Sequence, residues 1–347
     1  MTTMKSVQTS PTKPDTIDVV EIERPVPGPR DALMRIRACG ICGTDTFFVH
    51  MGGTPYGSSD GSVASLPLGH EPAGEIVEVG AEVADLKVGD RVVVNPQGAP
   101  SGIIGCGGEL GGMRDYLLIE NVVVGESVAV FPDDVPFDVA ALNEPMAVAR
   151  HCVNRSEATE DDKVVVFGAG PIGLGATIWL KLRGVRNVVV ADVIPSRLET
   201  ALAVGADAVI NSATEDVTAR LTELHGEAPN ALGQRRAGTD IYIDAAGVPA
   251  VFDAVIASAK WKAKMVMVAV QKKSDAIDLG GMLRSELTLV ASQGYPTEIF
   301  EVTAELAEHQ DRFAKLISHR VPFVDVDRAF ELARTPGAAE KIVVTFD

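Results

Sequence analysis

Cysteine is scarce in this chain. Four among 347 residues are too few for a disulfide scaffold of this size and favour a reducing compartment. Basic charge is also in short supply: 48 acidic residues face 31 basic ones, a formal net charge of −17. A field of that sign repels phosphate backbones and anionic membrane surfaces, so neither nucleic acid nor a membrane is an expected partner. Long apolar runs are missing as well. The charge-free stretch 164–180 is interrupted by Gly168, Gly170, Pro171, Gly173 and Gly175, and it is short for a bilayer span. It reads as a buried strand turning into a helix. The first twenty residues lack the apolar segment of a secretory signal. A cytoplasmic protein is the expectation.

What is present is ordinary globular material: 46% apolar residues, 23% charged, 33 Gly and 20 Pro. The length suggests two domains, possibly three. Up to about residue 142 the pattern is short and β-like. Ala32, Met34, Ile36 and Ala38 alternate with Leu33, Arg35 and Arg37, and glycine and proline punctuation recurs at 25–29, 52–53, 89–90, 107–108 and 111–112. An antiparallel, partly barrel-like β domain fits. From about residue 148 continuous apolar strands (164–167, 188–191, 208–210, 241–243, 265–270 and 287–290) alternate with segments of helical length. Strands buried on both faces and separated by helices predict an α/β, doubly wound parallel sheet. The polar stretch 227–239 reads as a surface insertion, and the chain closes on a strand over 341–346.

Two constellations carry chemistry. The first is Gly168-Ala169-Gly170-Pro171-Ile172-Gly173, set directly after strand 164–167 and opening a helix. In such a loop the first glycine permits the tight turn, the second lets backbone approach a pyrophosphate, and the third allows close helix–strand packing; the helix N-terminus holds the anion. Asp192 ends the next apolar strand, nineteen residues after Gly173, where a carboxylate would accept both ribose hydroxyls and repel a 2′-phosphate. NAD is therefore expected over NADP. Arg197, five residues on, is either a second cofactor contact or a solvated residue of a helix's first turn.

The second constellation is Cys39-Gly40-Ile41-Cys42-Gly43-Thr44-Asp45, then Gly69-His70-Glu71, then Glu144-Pro145. A thiolate, an imidazole and carboxylates together suit Zn²⁺. Taken singly each has another reading: a redox pair, a satisfied polar histidine, a helix start.

These residues resemble the zinc-containing medium-chain dehydrogenase/reductase family of alcohol, sorbitol and threonine dehydrogenases. The matching signatures are C-G-I-C-G-T-D, G-H-E-P-A-G-E-I-V-E-V-G with K-V-G-D-R-V, N-E-P-M-A-V, and V-V-V-F-G-A-G-P-I-G, in order over nearly the whole chain. The resemblance implies a GroES-like catalytic domain over 1–148, a Rossmann domain over 149–291, a segment 292–347 that rejoins the first domain, and an active site in the cleft. It makes Cys42 the thiolate ligand and His70 the imidazole ligand. Glu71 and Glu144 become the carboxylates that complete the site in the polyol and threonine branch, with the direct ligand of the two left open. Thr44 becomes the hydroxyl that receives the substrate's proton, and Asp45 the carboxylate that orients the histidine ligand. It further implies hydride transfer between NAD and the secondary alcohol of a small polar substrate (polyol, sugar, diol or 3-hydroxy amino acid), one catalytic zinc per subunit, and a homodimer or homotetramer. The readings set against it are a zinc-free reductase of the quinone reductase kind and a non-catalytic dinucleotide-binding protein.

The sequence departs from the family at two places. Phe47 stands where many relatives place a relay histidine, with His50 three residues later. The stretch 95–113 holds one cysteine, Cys106, where relatives carry four for a structural zinc, so a four-thiolate site cannot be built. Cys106 and Cys152 read as small buried or incidental residues. Phe47, Phe48 and the loop 52–65 are the candidates for a substrate pocket.

Overall fold

Strand-forming side chains with a turn every few residues give seven strands before residue 131. In the computed structural model, which describes residues 2–54, 63–271 and 276–347, these are β1 (Thr3–Thr9), β2 (Ile17–Glu23), β3 (Ala32–Gly40), β4 (Glu71–Val79), β5 (Arg91–Val94), β6 (Tyr116–Ile119) and β7 (Val128–Val130). Then the rhythm changes. β8 (Lys163–Phe167), β9 (Asn187–Asp192), β10 (Ala208–Asn211), β13 (Ile241–Asp244), β14 (Lys264–Met267) and β15 (Thr288–Ala291) alternate with helices, while β11 (Glu227–Pro229) and β12 (Arg235–Ala237) form a small hairpin. The chain ends with β16 (Ile317–Pro322) and β17 (Lys341–Thr345).

Two compact units result. Met1–Glu144, Ile299–Gln310 and Ile317–Asp347 make the first, and Pro145–Glu298 with Asp311–Leu316 the second.

The first unit is built on a seven-stranded sheet of order β16-β17-β3-β4-β5-β7, with β6 also paired to β3. Apart from the parallel pair β16–β17, its ladders are antiparallel. β3 lies at its centre, with Leu33, Met34, Ile36 and Cys39 fully buried. β17 pairs with the end of β3, opposing Val344 to Cys39 and Val343 to Gly40. Strands far apart in sequence are thus neighbours within the sheet.

The second unit holds a six-stranded parallel sheet of order β10-β9-β8-β13-β14-β15. That order, first strand central and later strands fanning to either side, is the doubly wound arrangement. Val164, Val165, Val166, Val188 and Val190 are fully buried, as expected for strands covered on both faces; each such side chain is worth roughly 1.5–3 kcal/mol. Segment Asp311–Leu316 joins this unit because Phe313 is buried against the Trp179 ring, 4.9 Å between centroids, and Arg312 Nε donates to the Val204 carbonyl at 2.7 Å.

One element differs from the sequence reading. The apolar run 265–270 stays strand only to Met267, because the amides of Val268 and Ala269 both donate to the Asp244 carbonyl and turn the chain. The stretch 227–239, expected to be a surface insertion, is mostly exposed and holds a short hairpin. Asn230 Oδ1 accepts from the amides of Leu232 and Gln234, and Asn230, Ala237 and Thr239 are buried. In the loop 52–65, residues 55–62 lie outside the described residues.

Candidate active site

The metal-binding half begins at the end of β3, where Cys42 caps the helix Gly43–Met51. Its sulfur accepts the amide of Asp45, and the Asp45 carboxylate reaches back to the Cys42 amide at 2.9 Å. A thiolate is favoured at a helix N-terminus, where amide dipoles converge. Thr44 sits one residue into the same helix, its Oγ1 3.7 Å from the Cys42 sulfur.

Asp45 is fully buried and binds two elements together. Besides Cys42 it accepts the Gly69 amide at 3.0 Å, which fixes the residue before His70, and its Oδ1 stands 3.6 Å from His70 Nδ1. Burial pushes the Asp45 carboxyl up, but His70 and the two amides outweigh it and hold the carboxyl below the usual range. Burial likewise pushes His70 down. The Asp45 and Cys42 charges and a contact from Cys106 outweigh that, so the metal-free imidazole titrates well above its ordinary value.

Glu71 opens β4 and is 1% exposed. Its Oε2 forms an ion pair with the ammonium of Lys341 on β17, and neither carboxylate oxygen has a hydrogen bond of normal geometry among the described residues. Ligand atoms of Cys42, His70 and Glu71 lie within 4.8 Å of one another. One soft thiolate, one imidazole and a carboxylate without a normal hydrogen bond, converging in a largely buried place, form a donor set that fits Zn²⁺. Glu144 lies in the first turn of the helix Asn143–Ser156, half-buried. It is outside that three-donor group but interacts electrostatically with Lys341.

Two residues of this site carry no sequence signal. Cys106, read as incidental, is a correction: its Sγ lies 3.4 Å from His70 Nδ1, so the loop 95–113 returns one thiol to the imidazole. Lys341 is the other, an isolated lysine at the head of an apolar strand. Phe48 also differs from expectation, since it packs into the core, whereas Phe47 is exposed. His50 is exposed and pairs with Asp15 at 3.0 Å. Cys152 is buried, and none of the four cysteines is bridged.

The nucleotide-binding half forms where β8 enters the helix Pro171–Leu182. Gly168 has φ +93°, a conformation side chains resist, and a Cβ there would stand 2.9 Å from the backbone of Ala245 and Ala246. A Cβ on Gly173 would land on the Gly168 carbonyl, whereas one on Gly170 would meet nothing within 4 Å. The three glycines therefore divide as turn, open approach and close packing. The helix begins at Gly170 without a side-chain cap and with Pro171 at its start. Its first amides, those of Ile172 and Gly173 included, remain available to an anion, and a pyrophosphate fits. Asp192 ends β9 with its carboxylate fixed by the amides of Ala169 at 2.6 Å and Ile194 at 2.9 Å. Each oxygen keeps a lone pair for a ribose hydroxyl. Arg197 lies half-buried in the first turn of the helix Pro195–Ala203.

Known proteins resemble this chain over most of its length. The alcohol dehydrogenase GroES-like domain family matches residues 28–129, and the zinc-binding dehydrogenase family residues 171–309. The (R,R)-butanediol dehydrogenase of Bacillus subtilis (strain 168) is 31% identical over 328 residues, covering 89% of this chain and 90% of that protein. The chain belongs to the zinc-containing medium-chain alcohol and polyol dehydrogenases. These are oxidoreductases of CH–OH donors. A further member, the L-threonine 3-dehydrogenase of Shewanella frigidimarina (strain NCIMB 400), is 30% identical over 353 residues, 95% of this chain and 96% of that one. The crystal structure of 2R,3R-butanediol dehydrogenase from Bacillus subtilis superimposes with a TM-score of 0.84 at 29% identity over 99% of both chains. Among the described residues no helix is long and apolar enough to cross a membrane.

Proposed function

We propose that this dehydrogenase transfers a hydride between NAD and the secondary alcohol of a small polar substrate, a diol, polyol, sugar or 3-hydroxy amino acid. The observation that carries the reading is the convergence of Cys42, His70 and Glu71 within 4.8 Å, with the Thr44 hydroxyl 3.7 Å from the Cys42 sulfur. Cys42, His70 and Glu71 would hold zinc, with Glu144 as a further acidic donor. Zinc bound there supplies Lewis acidity that lowers the pKa of a substrate hydroxyl, and NAD supplies the hydride acceptor. The chain's own residues do the rest. Thr44 takes the alcohol proton on Oγ1 while its own hydroxyl proton passes to water, so the side chain stays neutral beside the Cys42 sulfur. Asp45 holds His70 in one ring orientation and keeps the start of the helix fixed, so ligand and hydroxyl keep their spacing. Gly168, Gly170, Ile172 and Gly173 present backbone to the pyrophosphate, and Asp192 takes the ribose. Its fixed negative charge supports NAD over NADP; Arg197 is the residue to examine if that order is reversed.

One assay tests the whole reading. Purified protein should carry about one zinc per chain by elemental analysis, because the thiolates for a second site are missing. It should reduce NAD with at least one member of a panel of diols, polyols, sugar alcohols and 3-hydroxy amino acids, and reduce NADP at least about tenfold less efficiently, a difference of about 1.4 kcal/mol. Protein without zinc, or inert on every panel member with either cofactor, would refute the proposal.

We also propose a homo-oligomer, a dimer or tetramer, in the cytoplasm. Four unbridged cysteines support the reducing compartment, and cell fractionation tests it. The oligomer is supported by β15, which ends the parallel sheet and leaves its outer backbone groups without a neighbouring strand among the described residues. Beside it, Leu279 and Leu283 are 71% and 77% exposed on the helix Leu279–Ser285. A second copy of the same edge, related by a two-fold axis, satisfies both features at once. Leu283→Glu should convert the oligomer to monomer in sedimentation equilibrium, whereas wild-type protein already monomeric at tens of micromolar would exclude this interface.

A further inference from the structure

Asp244 ends β13 beside β8, the place in the sheet where strand order reverses and a dinucleotide crosses. Its carboxylate is buried, with 3% of the residue exposed, and amides hold it. Oδ1 accepts from the amides of Ala246 at 3.0 Å and Gly247 at 2.8 Å. Oδ2 accepts the side-chain amide of Gln271 at 3.0 Å. Gln271 lies beyond the end of β14, where the amides of Val268 and Ala269 already donate to the Asp244 carbonyl.

The segment that Asp244 shapes is packed between two others. On one side, a Cβ on Gly168 would stand 2.9 Å from the backbone of Ala245 and Ala246, and one on Gly173 would stand 3.4 Å from the Ala245 side chain. On the other side, Gly247 has φ +67°, and a Cβ there would lie 2.9 Å from the Val270 carbonyl oxygen. The glycine loop and segments 245–247 and 268–271 thus lie close against one another along the carboxyl ends of β8, β13 and β14. In a doubly wound sheet one mononucleotide half of the cofactor lies over the strands on either side of the reversal. The glycine loop and Asp192 serve the adenosine half, which leaves the ends of β13 and β14 for the nicotinamide half.

We infer that Gln271 is a positioning residue for the nicotinamide half of the cofactor: its amide, bonded to Asp244, holds segment 268–271 closed on segment 245–247. The inference rests on the NAD reading above and extends it to the half of the site that Asp192 does not reach. A glutamine suits the task because it donates to a carboxylate without bringing a charge of its own. Gln271 is exposed, so the bond is a latch at the rim of the sheet and can be changed without opening the core.

The test compares binding of NADH, followed by its fluorescence, with binding of AMP, followed by calorimetry, on the full-length protein. Neither readout needs turnover. Gln271→Leu removes the donor and should weaken NADH binding about tenfold or more, because hydrogen bonds to charged groups are the strong ones. AMP occupies only the adenosine half and should bind within about twofold of wild type, the scatter of independent changes. Gln271→Glu sets a second carboxylate against Asp244. One of two such neighbours takes up a proton as the pH falls, and the protonated glutamic acid then donates as the amide did. The NADH deficit of this variant is taken as a ratio to wild type at the same pH, so that groups common to both proteins cancel. It should shrink at least about threefold between about pH 8 and about pH 6. The Cys152 thiol, pushed up to about 12 by burial and by the Asp244 charge, stays protonated across that range. NADH binding within about twofold of wild type in Gln271→Leu overturns the inference. So does an equal loss of NADH and AMP binding, which would make the bond a support of the whole sheet, and so does a glutamate deficit that ignores pH. Wild-type protein that binds neither NADH nor NADPH is the failure of the functional reading itself, and the inference falls with it.

Discussion

Cys42→Ala should abolish zinc binding and turnover while the fold survives, and Cys39→Ala should leave both largely in place. The two cysteines sit three residues apart in a C-x-x-C pair, but their surroundings separate them. Cys39 is fully buried on β3, its thiol directed at the Gly40 carbonyl at 3.6 Å. Burial, with the Asp45 and Glu71 charges nearby, pushes that thiol far above its ordinary range. A group kept protonated is neither nucleophile nor metal ligand. Cys42 is half-buried, caps a helix and belongs to the three-donor group. Losing an outer-shell partner of a zinc site typically costs 10–100-fold in metal affinity, so losing a direct thiolate should cost more than about a hundredfold. The rate should fall more than about a thousandfold, since Lewis-acid stabilisation is worth several kcal/mol and each 1.36 kcal/mol is tenfold. Circular dichroism, metal analysis and kcat on both variants make the measurement. Equal inactivation of the two with zinc retained would sink the metal mechanism and favour a dithiol one.

Thr44→Ala should lower kcat and kcat/KM together by about 10²–10⁴-fold, the usual contribution of a positioned proton acceptor, with zinc content unchanged. Equal losses in the two constants mark an interaction made only in the transition state. Thr44→Ser keeps the oxygen and should retain much of the rate. Phe47 cannot pass a proton on and His50 is engaged with Asp15 at the surface, so in the proposed mechanism the proton leaves Thr44 to water. A Thr44→Ala enzyme with wild-type rates would remove this residue from the mechanism.

Local pattern carried most of this site into the sequence. The glycine loop is legible because its three glycines answer three steric demands within six residues. Cys42, Thr44 and Asp45 lie together at one helix start, but the roles proposed for them come from the family resemblance rather than from their spacing. What stayed hidden came from far away in sequence. Nothing around Cys106 marks it, since the loop that carries it is irregular and the contact with His70 spans 36 residues. Lys341 looks like the head of an ordinary strand, and only the pairing of β17 with β3 brings it to Glu71. The stretch 227–239 is exposed over most of its length, as its polarity suggests, but the short hairpin within it carries no strand-like alternation to announce it.

The position of β17 in the sheet sets an order on biosynthesis. Strands β8 to β15 leave the ribosome as one continuous stretch, and local βαβ pairing allows that parallel sheet to form while translation continues. The other sheet has to wait. β3 and β4 emerge early, yet the strand that pairs with the end of β3 and carries the cation for Glu71 emerges only after β15. Until β17 is made, the nascent chain thus leaves the Ala38–Gly40 end of β3 without its partner on that side and holds a carboxylate whose counter-charge has not yet been made. Unpaired strand edges of this kind invite aggregation, and contacts of such sequence separation form slowly. Chains stalled or cleaved before residue 341 are the ones that quality control should meet most often.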